Sequence, residues 1–262
     1  MRRSKVLEKL RAGKAALLGN ISLSPSPLAV EIAARCGIDG LWIDMEHRPF
    51  TQREVATVIA AARAADIDAM PRIRKGEGYT SFFRPLEDGA SGIMVPHVAT
   101  PDEARWTVRN AKFPPVGRRG MERMMPDADL GFCDPMEYVA HANRETFVVI
   151  QIEDAEALDR LGEIAAVEGV DCLFVGPADL SFSLGCPLQF DAPAYQEAER
   201  AIAAAAKAAG KWWGRPVANA EAAARYAEKG ARFFAMGGDY TLLKAGFERV
   251  RKEFDEAVGP LA

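Results

Sequence analysis

Four short stretches of the sequence place acids, bases and guanidinium groups at the ends of apolar runs: Asp44-Met45-Glu46-His47, Pro71-Arg72-Ile73-Arg74, Gln151-Ile152-Glu153 and Gly176-Pro177-Ala178-Asp179. Glu153 and Asp179 suit a hard divalent cation, because Mg²⁺ or Mn²⁺ takes one or two protein carboxylates and fills its other positions with water and substrate oxygens. A chelating 2-oxo acid fits those open positions. Either carboxylate alone would serve equally well to cap the following helix; the pair, in one place with His47, points to a metal. Imidazole titrates near neutrality, so His47 can act as a general base. His97, in Val95-Pro96-His97-Val98, also ends an apolar run, and spacing does not choose between the two. Arg74 offers a fixed positive charge to a developing oxyanion, whereas strand alternation turns Arg72 to the other side.

Other chemistries have less support. Lys75 is the one lysine in these clusters and abuts glycines in an apparent loop, so a Schiff base is disfavoured. Gly237-Gly238-Asp239 could hold a phosphate on backbone amides, but a glycine turn into a helix capped by Asp239 accounts for it without a ligand. The sequence contains no GxGxxG, phosphate-loop or nucleophile-elbow motif.

These residues must be carried by repeating elements. Eight short apolar runs read as strands: Ala16 to Ile21, Gly40 to Met45, Ala69 to Ile73, Gly92 to Val98, Phe147 to Ile152, Cys172 to Val175, Trp212 to Val217 and Phe233 to Met236. Several are apolar throughout, as strands buried on both faces are. Helix-period segments separate them. Thr51 with Glu54 and Thr100 with Glu103 form capping boxes, Asn219 opens a helix, and Gly210 and Gly230 end two. Eight βα units in 262 residues are the arithmetic of a TIM (β/α)8 barrel, with a doubly wound sheet as runner-up. No linker divides residues 1–262, so a single domain is expected. The connection from Phe113 to Thr146 is unusually long and reads as a lid or a packing arm, with a short helix near Pro135 to Ala142.

Composition narrows the partners. With 49% hydrophobic and 27% charged residues the chain is globular, and a net charge of −4 without a basic run disfavours nucleic acid and anionic membrane. Four scattered cysteines without a CxxC pair suit reduced thiols. The basic start Met1 to Lys5 lacks a following apolar core, and no window approaches the ~18 apolar residues of a span, so a cytoplasmic protein is expected.

The run Leu41 to His47, Pro71 to Arg74, Gly92 to Pro96, Gln151 to Glu153, Gly176 to Ser181 and Gly238-Asp239 resembles the HpcH/HpaI aldolase family, in order, from about Gly19 to Phe254. Gln-Ile-Glu followed by Gly-Pro-Ala-Asp-Leu-Ser is its most specific part. The resemblance implies a class II pyruvate aldolase dependent on a divalent metal such as Mg²⁺, Mn²⁺ or Co²⁺. It would cleave or form 4-hydroxy-2-oxo acids from pyruvate, or a related 2-oxo acid, and an aldehyde. It implies His47 as base, Asp88 as the acid that raises its basicity, Arg74 as enolate stabiliser, and Glu153 and Asp179 as metal ligands. Gln151, Gly176, Pro177, Ala178 and Asp179 are the implied substrate contacts. Asp88 precedes strand four, at the opposite end of a barrel, so it would serve a neighbouring subunit's site. The family's homo-oligomers, hexamers among them, share sites and exchange a C-terminal helix. Met45 replaces a glycine and His97 an apolar residue, and a shorter stretch from Arg72 to Asp88 leaves Arg72 open as the stabilising arginine. Two further readings are oxaloacetate decarboxylation through the same enolate and a scaffold without catalysis.

Overall fold

The computed structural model describes residues 1–76 and 78–259, which form a closed barrel of eight parallel strands in the order β1 to β8. The strands are β1 (Ala16–Ile21), β2 (Gly40–Asp44), β3 (Asp68–Arg72), β4 (Gly92–Val95), β5 (Phe147–Ile152), β6 (Cys172–Val175), β7 (Trp212–Pro216) and β8 (Phe233–Gly238). The helices are α1 (Lys5–Arg11), α2 (Pro27–Arg35), α3 (Gln52–Ala64), α4 (Thr80–Glu87), α5 (Pro101–Ala111), α6 (Pro135–Glu145), α7 (Leu161–Ala165), α8 (Pro177–Ser183), α9 (Pro193–Ala208), α10 (Ala220–Glu228) and α11 (Asp239–Val258). β1 closes the barrel against β8, with Ala16 beside Phe233.

Side chains alternate along each strand and so build two cores. Leu18, Trp42, Met70, Met94, Phe147, Val149, Phe174 and Phe233 fill the barrel, and Val6, Leu7 and Leu10 of α1 plug its lower end. Edge-to-face pairs hold this interior together, with Trp42 5.6 Å from Phe174 and Phe174 5.9 Å from Phe233. The complementary positions, such as Leu41, Ile43, Ile93, Val148 and Leu173, pack outward against the helices. Both capping boxes form as expected, Asn219 accepts from the Ala222 amide at 2.8 Å, and Gly210 and Gly230 take the left-handed conformation.

The long connection is a packing arm. Phe113, Ala128, Tyr138 and Ala142 form its own small apolar cluster. Its buried Arg119 pairs with Asp127 at 2.6 Å, and Arg63 of α3 donates to the Pro126 carbonyl at 3.1 Å. The short helix within it is α6.

In contrast, α11 has no buried residue over its 20 positions. Among the described residues no helix is long and apolar enough to cross a membrane.

Candidate active site

The residues that reach the C-terminal mouth follow from strand period. Asp44 shares a face with Trp42, Arg72 with Met70, and Gln151 and Glu153 with Val149, so all four continue the inward rows of the barrel. Asp44 Oδ1 accepts from Arg72 Nε at 3.1 Å and pairs with Arg72 Nη2 at 2.9 Å. The same oxygen accepts from the backbone amides of Glu46 at 3.1 Å and His47 at 3.3 Å, which folds the segment after β2 over the mouth. Arg72 is 6% exposed, pairs through Nη1 with Glu46 Oε2 at 3.0 Å, and lies over the Trp42 ring at 4.9 Å.

The two arginines, between which the family resemblance left the stabilising role open, are placed differently. Arg74 lies beyond the strand and donates to the carbonyls of Phe50 at 2.8 Å and Arg48 at 3.2 Å, bracing the loop before α3. Arg72 is the guanidinium inside the acidic cluster. Alternation counted from Met70, the last inward apolar residue of β3, together with the end of that strand at Arg72, is the signal that points to it.

His47 stands at the rim, its side chain 56% exposed, with Nε2 3.7 Å from Glu46 Oε2. Glu46, to which the sequence reading gave no role, also faces His97 Nε2 at 3.6 Å. One carboxylate thus touches Arg72 and both mouth histidines.

Glu153 is 1% exposed. Its Oε1 accepts from the His97 amide at 2.9 Å and its Oε2 from Gln151 Nε2 at 2.5 Å. Burial pushes the carboxyl up to about 7, against the pull of the His97 charge and amide. Burial lowers His97 in turn, but the charges of Glu153, Asp154 and Glu46 outweigh it and leave the imidazole above its ordinary range. Gly176 follows β6 against this pair, and a Cβ there would fall 2.7 Å from Glu153 Cβ and 2.8 Å from Gln151 Nε2. Pro177, Ala178 and Asp179 form the first turn of α8, where Ala178 and Asp179 are exposed.

A divalent cation suits this chemistry. The Gln151 side-chain oxygen, Oε1, is buried without a hydrogen-bond partner among the described residues, and Glu153 is a buried carboxylate that a cation would keep ionised. Among the described residues no three His, Cys, Asp or Glu side chains gather as a ligand set. A metal that keeps most of its positions for water and substrate does not require one.

Asp88 lies elsewhere. It caps α4 at its C-terminus and pairs with Arg84 at 3.2 Å, and burial raises its carboxyl. No hydrogen bond or ion pair among the described residues joins it to His47. Asp239, expected to cap a helix, accepts from the amides of Ser22 at 2.9 Å, Leu23 at 2.8 Å and Ser24 at 3.0 Å, and so clamps the loop after β1 to the start of α11. The N-cap position itself is Gly238.

The sequence profile of the HpcH/HpaI aldolase/citrate lyase family matches residues 21–245. The chain belongs to this family. A hydroxypyruvate/pyruvate aldolase of Delftia acidovorans is 38% identical over 221 residues, covering 84% of this chain and 81% of the relative. A 4-hydroxy-2-oxo-heptane-1,7-dioate aldolase of Shigella sonnei is 36% identical over 246 residues, covering 94% and 92%. The crystal structure of an HpcH/HpaI aldolase from Desulfitobacterium hafniense superimposes with a TM-score of 0.90 at 32% identity over 96% of each chain. This HpcH/HpaI aldolase is therefore an enzyme, a carbon–carbon lyase of the pyruvate-aldolase type that acts on small molecules by aldol cleavage. The family generally works with a divalent metal.

Proposed function

We propose that the protein reversibly cleaves 4-hydroxy-2-oxo acids into pyruvate, or a related 2-oxo acid, and an aldehyde, with a divalent metal held by Glu153 and Asp179. The observation that carries this reading is the convergence of the buried Glu153 with Arg72, Glu46 and His47 on one mouth. A bound cation of the Mg²⁺, Mn²⁺ or Co²⁺ type supplies Lewis-acid polarisation of the 2-oxo group. Gln151 and the Gly176-Pro177-Ala178 backbone orient the 2-oxo acid beside Glu153. His47 takes the proton of the 4-hydroxyl as the C3–C4 bond breaks; C4 leaves as the aldehyde carbonyl, and the electron pair passes into the three-carbon enolate. Arg72 steadies the charge that collects on the C2 oxygen, in the role first given to Arg74. A proton returned to C3 completes pyruvate and balances the one His47 took, which leaves the imidazole neutral for the next turnover.

The assembly belongs to the same proposal. On α11 the exposed Tyr240, Leu243, Phe247, Val250, Phe254 and Val258 recur every three or four residues and form one apolar stripe along the helix. A second copy of the chain covers this stripe in a homo-oligomer, a hexamer by family resemblance, and brings Asp88 to a neighbour's His47. The four free thiols support a cytoplasmic enzyme.

The test is pyruvate release from a panel of 4-hydroxy-2-oxo acids by metal-stripped protein, with Mg²⁺, Mn²⁺ or Co²⁺ added back. Release restored by metal is expected. Silence on the panel with rapid oxaloacetate decarboxylation replaces the aldol reading with the decarboxylase; silence on both replaces it with the scaffold.

A further inference from the structure

His97 carries a backbone conformation that needs a cause. Its φ is +53°, in the left-handed region that non-glycine residues seldom occupy and that is over-represented at functional sites. The residue lies in the turn between β4 and α5, and that conformation directs its amide at Glu153 Oε1, 2.9 Å away. The turn is pinned from several sides. The imidazole Nδ1 lies 3.2 Å from Asp154 Oδ2, and Nε2 faces Glu46 Oε1 at 3.6 Å. Lys75 Nζ bonds the His97 carbonyl and pairs with Glu103 at 3.1 Å. Glu103 in turn accepts from the amides of Ala99 at 2.9 Å and Thr100 at 3.0 Å, closing the capping box of α5.

From this geometry we infer that His97 is a positioning residue for the metal-binding carboxylate: its ring anchors the turn so that its amide fixes Glu153 Oε1. The inference rests on the reading of Glu153 as a metal ligand. Gln151 holds the other oxygen at 2.5 Å, so the carboxylate is held in one orientation before a cation arrives. An apolar residue at position 97 would have no ring nitrogen with which to hold Asp154 and Glu46. In this chain the imidazole supplies that hold.

Three substitutions separate ring from backbone. His97→Asn tolerates the left-handed conformation and retains a side-chain donor for Asp154. His97→Gly adopts the conformation freely but lacks the anchor. His97→Val removes the anchor and, being β-branched, resists the conformation. Binding of Mn²⁺ alone to the metal-stripped full-length protein, followed by electron paramagnetic resonance, is the readout, with melting temperature recorded alongside. The expected Mn²⁺ Kd is within about threefold of wild type for His97→Asn and at least about tenfold weaker for His97→Val, with His97→Gly between, as outer-shell substitutions behave at metal sites. Rescue by Asn separates positioning from a general loss of packing, and should His97→Val fail to fold, the contrast of Asn with Gly decides. Equal Kd for Asn, Gly and wild type overturns the inference. Glu153→Gln is the control: its loss of Mn²⁺ binding upholds the ligand reading independently of His97, and unchanged binding refutes that reading and the inference with it.

Discussion

Arg72 Nη1 lies 3.0 Å from Glu46 Oε2, while the same guanidinium holds Asp44 at 2.9 Å. The cation therefore fixes both ends of the segment that presents His47, from a position where its own side chain is almost wholly buried. Removing one partner from such a pair costs more than the pair contributes, because the other charge stays buried.

The arginine assignment follows from that arrangement. Arg72→Lys keeps the charge but loses the planar fork that meets Asp44 and Glu46 together. Pyruvate release should fall about 10²- to 10³-fold in kcat, the scale for loss of one preorganised oxyanion donor. Arg74→Lys should cost less than about tenfold, since Arg74 donates to the loop carbonyls of Arg48 and Phe50 and a lysine can still donate there. A larger loss for Arg74→Lys than for Arg72→Lys returns the role to Arg74.

Gly176→Ala addresses the other side of the mouth. The added methyl would press on Glu153 Cβ at 2.7 Å and on Gln151 Nε2 at 2.8 Å, both buried and unable to swing into solvent. The carboxylate must shift, and misplacement of a catalytic group by about 1 Å can cost about 10² in rate. Steady-state pyruvate release at saturating Mn²⁺ checks this; wild-type kcat in Gly176→Ala would show that the mouth relaxes more easily than its packing implies.

The barrel was legible because most of its strands, β2 to β6, are buried on both faces and the others are largely apolar. Ala16–Ile21, Phe147–Ile152 and Cys172–Val175 coincide with the apolar runs, and the other five differ only at their ends. Polar residues at strand ends were harder. Arg72 and Arg74 share a parity, so alternation gives both the same face and the expectation that it turns Arg72 away from Arg74 fails; what separates them is that β3 ends at Arg72 and the chain then turns away. Glu46 escaped notice beside His47, because its reach to His97 depends on contact between residues distant in sequence. Asp239 reads as a local cap in the sequence, whereas three of the four backbone amides it accepts from lie more than two hundred residues earlier, a relation that only closure of β8 on β1 creates.

Asp239 should show itself in the pH dependence of stability. Burial alone would raise its carboxyl, but the amides of Ser24, Ser22, Leu23 and Tyr240 outweigh it and hold it below its ordinary value of 3.8. A depressed folded-state value means that the ionised form stabilises the fold: the contribution is fully present above 3.8 and is lost as pH falls through the folded-state value. Asp239→Asn should therefore lower stability by about 1 kcal/mol near neutrality, as loss of a side chain that caps backbone amides does. Urea unfolding at fixed protein concentration should show the gap between wild type and variant closing in acid. A gap that stays constant from neutrality to acid would contradict the ionised clamp.

The stripe on α11 makes the last prediction. Phe247 and Val250 are 66% and 57% exposed on a helix with no buried residue, so a charge at either has little to disrupt within one chain. Phe247→Glu combined with Val250→Glu should leave helix content unchanged in circular dichroism while light scattering reports a fall from a multiple of 28.5 kDa to that single mass. If Asp88 serves a neighbour's His47, the same variant loses pyruvate release together with its mass, because no described bond joins the two residues within one chain. A wild-type protein that already weighs one subunit, or a variant that keeps the wild-type mass, removes α11 as the interface.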